Sequence, residues 1–385
     1  MRILGRGKTA QAILEQYPDS NLYDDLNIEE FNKDSEELTV VSPGIPPYNQ
    51  LVKNTKNLIS EYDLFANTMP YSIWISGTNG KTTTTSMLQH LLEEQNSQCG
   101  GNIGTPLGHM DQTKNIWVLE TSSFTLHYTN IAKPNLYILL PISDDHASWH
   151  GDFIEYEKSK LKALDNLKEG EIAIIPKKYE NYPTNGYKVC YESSSDLAKN
   201  FDIDMNKINF DEPYLIDALL ALSVSRILFD KVDYNKINSF VQDPHKLEKI
   251  YDKYNRLWIN DSKATNIDAT IQALKSYKNK KVYLILGGDD KGANLEPLFK
   301  ELTKYNVNIY AIGSNTNKLF ELSNRYNILC QKCNELEVAV NIISTSIDTN
   351  GLSLVLLSPA AASLDQFTSY ASRGDLYKNL INNII

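Results

Sequence analysis

Apolar runs alternate with helix-type stretches through the middle of this 385-residue chain. Four runs predict buried strands, at residues 71–76, 115–119, 136–140 and 171–175. Helical patterns follow the first run, from Lys81 to about Glu94, and the third, over residues 153–167. Apolar strands separated by helices are typical of a parallel sheet that is covered on both faces. The pattern therefore predicts a central α/β domain.

The first seventy residues predict a smaller unit of the same class. An apolar triplet at residues 2–4 leads into the turn Gly5-Arg6-Gly7-Lys8-Thr9 and a helical pattern that ends near Tyr17. This is a truncated dinucleotide-type fingerprint without its third glycine, and a plain βα turn explains it equally well. A second run, residues 38–41, ends at Ser42-Pro43-Gly44. We expect a small Rossmann-like domain.

The last third of the chain predicts a second open α/β sheet. Its apolar runs at residues 282–286, 307–312 and 354–357 each end at glycine or small polar residues. Ligands bind outside the carboxyl ends of strands in such sheets. The chain is thus predicted to hold three domains, at residues 1–70, 71–243 and 244–385.

Composition narrows the class of protein. Hydrophobic residues make up 42% and charged residues 22%, and the formal net charge is −10. That charge argues against broad binding of nucleic acid or anionic membranes. No apolar run approaches the roughly 18 residues of a membrane span, and the first residues do not resemble a signal peptide. We expect a cytoplasmic enzyme, without a nucleic-acid partner, that holds anionic substrates with local cations.

Four scattered cysteines carry no further prediction. Cys330 and Cys333 form a lone CxxC pattern, and no second pair accompanies it. Metal and disulfide sites need more ligands or a denser framework, so ordinary packing is the favoured interpretation.

A glycine-bearing turn, Gly77-Thr78-Asn79-Gly80-Lys81-Thr82, joins the strand at 71–76 to its helix. Such a turn presents backbone N–H groups and a helix N-terminus to a phosphate. Lys81 suits the β- and γ-phosphates, and the Thr82 hydroxyl suits a magnesium ion. The match is imperfect because Ile75 stands where the full Walker pattern has its first glycine.

Polar residues follow the neighbouring predicted strands. Glu120 ends one strand, where a magnesium ligand and a solvated strand end remain equal alternatives. His146 lies in the run Asp144-Asp145-His146-Ala147-Ser148-Trp149-His150, which is dense in side chains suited to metal or phosphate. Lys158, Lys160 and Lys162 follow on a helix, where composition alone favours a solvated basic face.

The third domain carries its own polar segment, Trp258 to Asn266, which we interpret as one turn. Asp261 there could hold a ribose hydroxyl or orient a lysine, and Lys263 could bind an anion. Lys291 could neutralise a second anion, and Ser363 could donate a hydrogen bond to a carboxylate.

Taken in order, these motifs resemble the Mur ligases, ATP-dependent enzymes that add amino acids to the UDP-linked peptidoglycan precursor. The match consists of residues 77–83, 101–104, 120–124, 145–146, 160, 245–248 and 260–266. The ending at residues 357–367, with Arg373-Gly374, looks most like the D-glutamate-adding member of the family. The opening glycine turn and Ser42-Pro43-Gly44 look like its uridine-nucleotide domain.

The resemblance implies a three-domain ligase and an acyl-phosphate reaction. ATP would phosphorylate the terminal carboxylate of UDP-N-acetylmuramoyl-L-alanine, and the amine of D-glutamate would then displace phosphate. A carboxylate is a poor electrophile, so phosphorylation supplies a leaving group, and the tetrahedral anion that follows needs fixed positive charge. Two magnesium ions and a monomeric enzyme are also expected.

The family's functional residues fall on matching positions of this sequence. ATP would contact Gly77, Thr78, Asn79, Gly80, Lys81, Thr82, Thr83, Lys246 and Asp261. The metal ligands would be Thr82, Glu120, His146 and a carbamate on Lys160, while Lys81, Asn102, His146 and Lys160 would serve catalysis. The uridine diphosphate would face Lys8, Thr9, Asp24 and Ser42, and the muramoyl-alanine part would face Asn102 and Ser122. The D-glutamate pocket would comprise Lys263, Thr265, Lys291, Ser363 and Tyr370.

Some positions depart from the family pattern. Lys246 stands where an arginine is usual, which keeps the charge but loses the forked geometry for phosphate. Pro213-Tyr214 and Asp217 occupy places where the family has adenine-contacting residues, so no adenine contact is predicted from that segment. Tyr370 replaces a usual phenylalanine.

Three alternatives stay open. Another ligase of the family, including a folylpolyglutamate-type enzyme, would use a different amino acid. A P-loop NTPase acting as a switch or motor would leave the segments 260–266 and 358–367 without a role. A nucleotide-binding scaffold would not catalyse any reaction.

Overall fold

The computed structural model describes residues 1–347 and 351–384, without the side chains at 147 and 148. The chain divides into two compact units, Met1–Phe240 and Val241–Ile385. Within the described residues the strands form three sheets, two in the first unit and one in the second.

The first sheet is small and entirely parallel, with the strand order β2-β1-β3-β4. Its strands are β1 (Arg2–Leu4), β2 (Asn21–Tyr23), β3 (Thr39–Val41) and β4 (Leu58–Ile59), and its helices are α1 (Lys8–Gln16), α2 (Gln50–Lys53) and α3 (Glu61–Leu64). Gly5 follows β1 with φ +100°, and a Cβ there would lie 2.9 Å from the Ser42 Oγ. Glycine is needed at this position because the ends of β1 and β3 meet so closely.

The second sheet is parallel throughout, in the order β10-β9-β8-β5-β7-β6. Its strands are β5 (Tyr71–Ser76), β6 (Ser97–Gly101), β7 (Ile116–Glu120), β8 (Leu136–Leu139), β9 (Ile172–Pro176) and β10 (Tyr187–Tyr191). Its helices are α4 (Lys81–Leu92), α5 (Ser123–Tyr128), α6 (Ala147–His150), α7 (Phe153–Leu161), α8 (Ser194–Phe201), α9 (Tyr214–Phe229) and α10 (Tyr234–Asn238). Separate apolar clusters cover its two faces.

The third sheet has the order β11-β12-β16-β13-β14-β15, and only the β11–β12 pair is antiparallel among its described strands. Its strands are β11 (Glu248–Tyr251), β12 (Leu257–Asn260), β13 (Lys281–Gly287), β14 (Val307–Ile312), β15 (Cys330–Asn334) and β16 (Ser353–Leu357). Its helices are α11 (Ile267–Lys275), α12 (Glu296–Leu302), α13 (Thr316–Arg325), α14 (Leu336–Ser346) and α15 (Tyr370–Asn382).

The predicted fold class is confirmed: the protein is α/β with three sheets. The predicted domain boundaries at 70/71 and 243/244 stay predictions. The interpretation of Trp258–Asn266 as one turn is wrong at its start, because residues 258–260 belong to β12. The helix predicted to about Glu94 ends at Leu92, before a 3-10 turn, and the one predicted over 153–167 ends at Leu161.

Two further findings concern the cysteines and the membrane. The four cysteines are all free thiols, and burial raises the pKa of Cys333 to about 11. No helix in the described part of the chain is both long enough and apolar enough to span a bilayer.

Candidate active site

The phosphate loop lies between β5 and α4 and is shaped by two glycines. Gly77 has φ +143° and Gly80 has φ +85°, conformations that side chains with a Cβ rarely adopt. A Cβ on Gly80 would also lie 2.7 Å from the buried carboxylate of Asp217. The Lys81 Nζ folds back over the loop and donates to the Gly77 and Thr78 carbonyl oxygens, at 2.9 and 2.8 Å. The loop thus presents an ammonium group beside the N-terminus of α4, as an anion site requires.

The remaining loop residues lie around this ammonium group. The Thr78 hydroxyl hydrogen-bonds the Tyr156 hydroxyl at 3.0 Å and accepts from the Ser143 backbone N–H at 3.0 Å. Asn79 and Thr82 are half-buried, and Thr83 is buried on the first turn of α4. All the loop positions predicted for ATP are therefore contiguous at one edge of the second sheet.

A buried lysine approaches the loop from α7. Lys160 is 1% exposed, and its Nζ donates to the Gly77 carbonyl oxygen at 2.8 Å. Burial holds its pKa well below the usual value, and the nearby Lys81 charge lowers it further, against the opposing pull of Asp145 and Glu120. The expectation of a solvated basic face is wrong for Lys160, whereas Lys158 on the same helix has an exposed side chain.

Glu120 supplies an acceptor facing this cluster. It is 2% exposed, so a solvated strand end is also excluded. The exposed Asn102 side chain donates to its Oε1 at 2.6 Å, and its Oε2 is buried with no hydrogen-bond partner among the described residues. An unpaired buried carboxylate oxygen is costly unless a cation or donor occupies the site. Oxygen donors such as the Glu120 carboxylate and the Thr82 hydroxyl therefore fit a magnesium ion, which prefers such ligands.

His146 and Lys160 both lie near the aromatic ring of Tyr156. The His146 backbone has φ +55°, and its ring lies 4.8 Å from Phe124 and 5.9 Å from Tyr156, between centroids. The Lys160 Nζ lies 4.7 Å from the centroid of the same Tyr156 ring. Among the described residues no group of three His, Cys, Asp or Glu side chains could hold a metal by itself. A metal here would need the Thr82 hydroxyl or a modified Lys160 as well.

The residues predicted to face a uridine diphosphate gather at the carboxyl edge of the first sheet. Lys8 and Thr9 begin α1, and Ser42 follows β3. The Ser42 Oγ is buried without a hydrogen-bond partner among the described residues. Buried hydroxyl groups are normally hydrogen-bonded, so this oxygen fits a contact with a ligand. Asp24 accepts from the Arg6 Nε at 2.6 Å, which makes Arg6 a site candidate that sequence reasoning missed.

The second sheet's Ser122 has a local structural role. Its hydroxyl caps α5 by accepting from the Thr125 backbone N–H at 3.1 Å. It lies two residues after Glu120, whose carboxylate accepts from Asn102, the other residue predicted to contact the muramoyl-alanine part.

In the second unit, the loops after β12, β13 and β16 carry the residues predicted for D-glutamate. The Lys263 Nζ lies 5.6 Å from the centroid of the Tyr370 ring. The loop with Lys291 pairs with the loop of the buried Ser363 through the two backbone hydrogen bonds between Asp289 and Ala362. Thr265 is exposed on the loop that also carries Lys263.

Asp261 and Lys246, predicted for ATP, also belong to the second unit. Asp261 accepts from the Ser358 hydroxyl at 2.7 Å and from the Leu247 backbone N–H at 3.2 Å. Burial raises its pKa to about 7, although these hydrogen bonds and the Lys246 charge oppose the rise. Arg373, which sequence reasoning did not place in the site, ties these loops together by donating to Ser262 and to the carbonyl oxygens of Ala361 and Ala362.

A strand, a glycine turn and a helix with a loop lysine, beside an acidic strand end, define a phosphate-binding protein of the P-loop class. Residues 75–211 match the family model of the Mur ligase middle domain. The chain is 48% identical, over 99% of both chains, to a protein of Campylobacter jejuni named UDP-N-acetylmuramoylalanine--D-glutamate ligase. A protein of the same name from Helicobacter pylori is 42% identical over 98% of both chains. The chain therefore belongs to the Mur ligase family, as its motifs predicted.

Solved structures agree on the fold. The MurF ligase of Thermotoga maritima, solved with ADP, has a TM-score of 0.62 and 15% identity, covering 98% of this chain and 93% of that one. Folylpolyglutamate synthase of Mycobacterium tuberculosis, solved with ADP and AMPPCP, has a TM-score of 0.57 and 13% identity, covering 82% and 93%. At these identities the likeness concerns the fold alone.

Proposed function

We propose that this protein joins D-glutamate to UDP-N-acetylmuramoyl-L-alanine at the expense of ATP. The observation that carries the proposal is 48% identity over nearly the whole chain to a protein named for that ligation. The function predicted from the sequence is confirmed by such relatives. The roles of individual residues are our proposal, and the geometry of the phosphate loop supports them.

The first chemical step would be transfer of the γ-phosphoryl group of ATP to the alanyl carboxylate, which yields ADP and an acyl phosphate. Lys81 would move from the carbonyl oxygens it now contacts to the β- and γ-phosphates, where its charge offsets the charge of the transferred group. Asn102 would orient the alanyl carboxylate, since its amide group already lies against Glu120.

The second step would be attack of the D-glutamate amine on the acyl phosphate, which forms the amide and releases phosphate. Lys263, Lys291 and Ser363 would hold the two carboxylates of D-glutamate, because ammonium and hydroxyl donors suit carboxylate oxygens. Tyr370 would pack against the Lys263 stem and close one side of the pocket.

One magnesium ion would be held by the Thr82 hydroxyl and Glu120, and a second by His146 and a carbamate on Lys160. When bound, these ions would neutralise phosphate charge. The buried Lys160 supports the carbamate, because burial lowers its pKa and so favours the neutral amine, the form that adds CO2. The carbamate would be an anion that magnesium can pair. We further propose a cytoplasmic location, where this precursor ligation takes place.

A ligation assay tests the proposal. Purified protein with ATP, magnesium and UDP-N-acetylmuramoyl-L-alanine should release phosphate and form product with D-glutamate, but not with L-alanine, a diamino acid or a dipeptide. Lys81→Ala should lower turnover by at least about 100-fold, because one preorganised charge at a reacting phosphate is worth that much. Lys158→Ala is the matched control, since this exposed lysine has no role in the site.

Each failure would identify one of the alternatives. Product with another amino acid would indicate a different ligase of the family. Phosphate release that needs no UDP-sugar would indicate an NTPase switch, and full activity of Lys81→Ala would contradict the assigned role of the loop.

A further inference from the structure

His150 lies between α5, which follows the strand that ends at Glu120, and α7, which carries Lys160. It is the last residue of α6, is 7% exposed, and has hydroxyl partners on both ring nitrogens. Its Nε2 is 3.0 Å from the Ser123 Oγ on α5, and its Nδ1 is 3.4 Å from the Ser159 Oγ on α7. No role was assigned to this residue from the sequence.

The hydrogen-bond inventory assigns a tautomer to this ring. The Ser159 hydroxyl donates to the Glu155 carbonyl oxygen at 2.7 Å, so its oxygen is left to accept. The His150 Nδ1 must then carry the proton and donate to Ser159. In the neutral ring the Nε2 is therefore an acceptor, and the Ser123 hydroxyl donates to it.

Packing favours the neutral ring. Phe124 stacks on His150 with centroids 5.6 Å apart, and Tyr156 meets it edge-on at 5.3 Å. The ring is 7% exposed among these aromatic groups, and such burial favours its uncharged form. The Nδ1 of a second histidine, His127, also lies 3.4 Å from the Ser159 Oγ.

The two hydroxyl partners stand next to the residues of the proposed site. Ser123 begins α5, directly after the segment that starts at Glu120, and Ser159 precedes Lys160 on α7. The His150 ring thus connects the start of α5 to the last turn of α7, next to Lys160.

We propose that His150 is a positioning residue for ligation. Its Nδ1–H tautomer bridges Ser123 and Ser159, and this bridge holds Glu120 and Lys160 in place beside the phosphate loop. The proposal rests on the ligase function given above. It assigns no contact between His150 and substrate.

The kinetic test replaces the ring and then restores each contact separately. His150→Phe keeps the aromatic stacking but loses both hydrogen bonds, and it should lower kcat by about 10- to 100-fold, as small misplacements of reacting groups do. The KM values for ATP and D-glutamate should change less than about threefold, since binding groups stay in place. His90→Phe is the control, because His90 hydrogen-bonds the Ser239 hydroxyl at 3.0 Å near α10, away from the loop.

Two conservative variants should each rescue part of the loss. The amide nitrogen of His150→Asn takes the place of Nδ1 and can donate to Ser159, whereas the amide of His150→Gln takes the place of Nε2 and can accept from Ser123. Both should exceed His150→Phe in kcat. Equal kcat in wild type and folded His150→Phe would overturn the proposal, as would a loss seen only in KM.

A double-variant cycle tests the bridge itself. Ser123→Ala removes the hydroxyl from one arm, and it should lower kcat on its own but not in the His150→Phe background. If the fold-losses in kcat of the two single variants multiply in the double variant, the two residues act independently, and the proposed bridge is wrong. If His150→Phe does not fold, Ser123→Ala and His150→Asn carry the cycle in its place, because the Asn side chain keeps only the contact with Ser159.

The tautomer has a readout that does not depend on activity. Long-range ¹H–¹⁵N spectra of the histidine-labelled full chain, assigned with His150→Gln, should show the Nδ1–H form. An Nε2–H form would overturn the proposal even if ligation proceeds. Conversely, a wild-type protein without ligase activity would refute the proposed function while leaving the tautomer measurable.

Discussion

At the scale of single residues, burial separates side chains that look alike in the sequence. Lys158 and Lys160 lie two positions apart on α7, yet only Lys160 is buried and reaches the Gly77 carbonyl oxygen. Successive side chains on a helix point in different directions, so only one of the two can face the sheet. Which one does so depends on how α7 packs.

The carbamate predicted on Lys160 has a direct measurement. The neutral amine should add CO2, forming an N–C bond and releasing one proton, and burial favours this by lowering the pKa of Lys160. ¹³C spectra under ¹³CO2 near pH 8 should show a carbamate carbon in wild type and Lys158→Ala but not in Lys160→Ala. Ligation by Lys160→Ala should fall and recover in part with added small carboxylates. A carbamate signal that survives in Lys160→Ala would contradict the assignment.

Replacing Gly80 of the phosphate loop by alanine should be costly for two reasons. Gly80→Ala must adopt a positive φ and also place its Cβ 2.7 Å from the Asp217 carboxylate. Gly170→Ala is the control that measures the cost of a positive φ alone. Gly170 has φ +90°, and no heavy atom lies within 4 Å of its ideal Cβ. Urea unfolding should show a loss of about 1 kcal/mol for Gly170→Ala and at least about 2 kcal/mol for Gly80→Ala. Equal losses would mean that the close approach to Asp217 costs nothing.

At the scale of elements, the short helix α3 links the first sheet to the second through buried polar contacts. Its Tyr62 hydroxyl lies 3.2 Å from the Thr121 hydroxyl, directly after Glu120. Its Glu61 is 6% exposed and accepts from the Gly108 backbone N–H at 3.3 Å. Burial raises the pKa of Glu61 to about 7, because two backbone donors do not replace the lost hydration.

Glu61 should therefore make stability depend on pH in a defined window. The folded state keeps its proton up to about pH 7, whereas the unfolded chain releases it near 4.5. Its contribution is fully present below pH 4.5 and is lost as the pH rises through 7, since the folded state binds more protons in between. Urea unfolding from pH 4.5 to 7.5 should show a smaller decline with pH for Glu61→Gln, which keeps an acceptor oxygen. If the free energy of unfolding of wild type and of Glu61→Gln declines equally with pH, the pKa of Glu61 in the folded state lies near its ordinary value.

At the scale of the whole molecule, the acidic net charge and the basic sites are separate features. The chain carries a formal net charge of −10, yet Lys81, Lys263 and Lys291 lie at or near the carboxyl ends of strands where anions would bind. A net negative field suppresses nonspecific binding of polyanions, while local ammonium groups act at short range.

We expect a monomer, since each proposed binding residue belongs to this one chain. Sedimentation equilibrium should give a mass near 43.6 kDa across a tenfold range of concentration. Lys81→Ala serves as the control, because a loop substitution should leave the mass unchanged. A mass that doubles with concentration would contradict the prediction.

The family and the α/β class could be predicted from the sequence because their evidence is local. Strands buried on both faces appear as continuous apolar runs, so the interior strands other than β12 were predicted. The six edge strands of the described residues, β2, β4, β6, β10, β11 and β15, were not, because one side of each has no partner strand there and its apolar pattern is weak. The phosphate loop was predicted because its glycines and lysine are contiguous.

Packing between distant parts of the chain decided the roles of polar residues for which spacing in the sequence left alternatives open. Glu120 had equal alternatives until burial showed an unpaired carboxylate oxygen beside the loop. Arg373 and His150 act through residues far away in the chain, and no periodicity marks such contacts. Hydrophobic patterning specifies elements because it reports the local exposure of the backbone, whereas burial of a polar side chain depends on which elements meet around it.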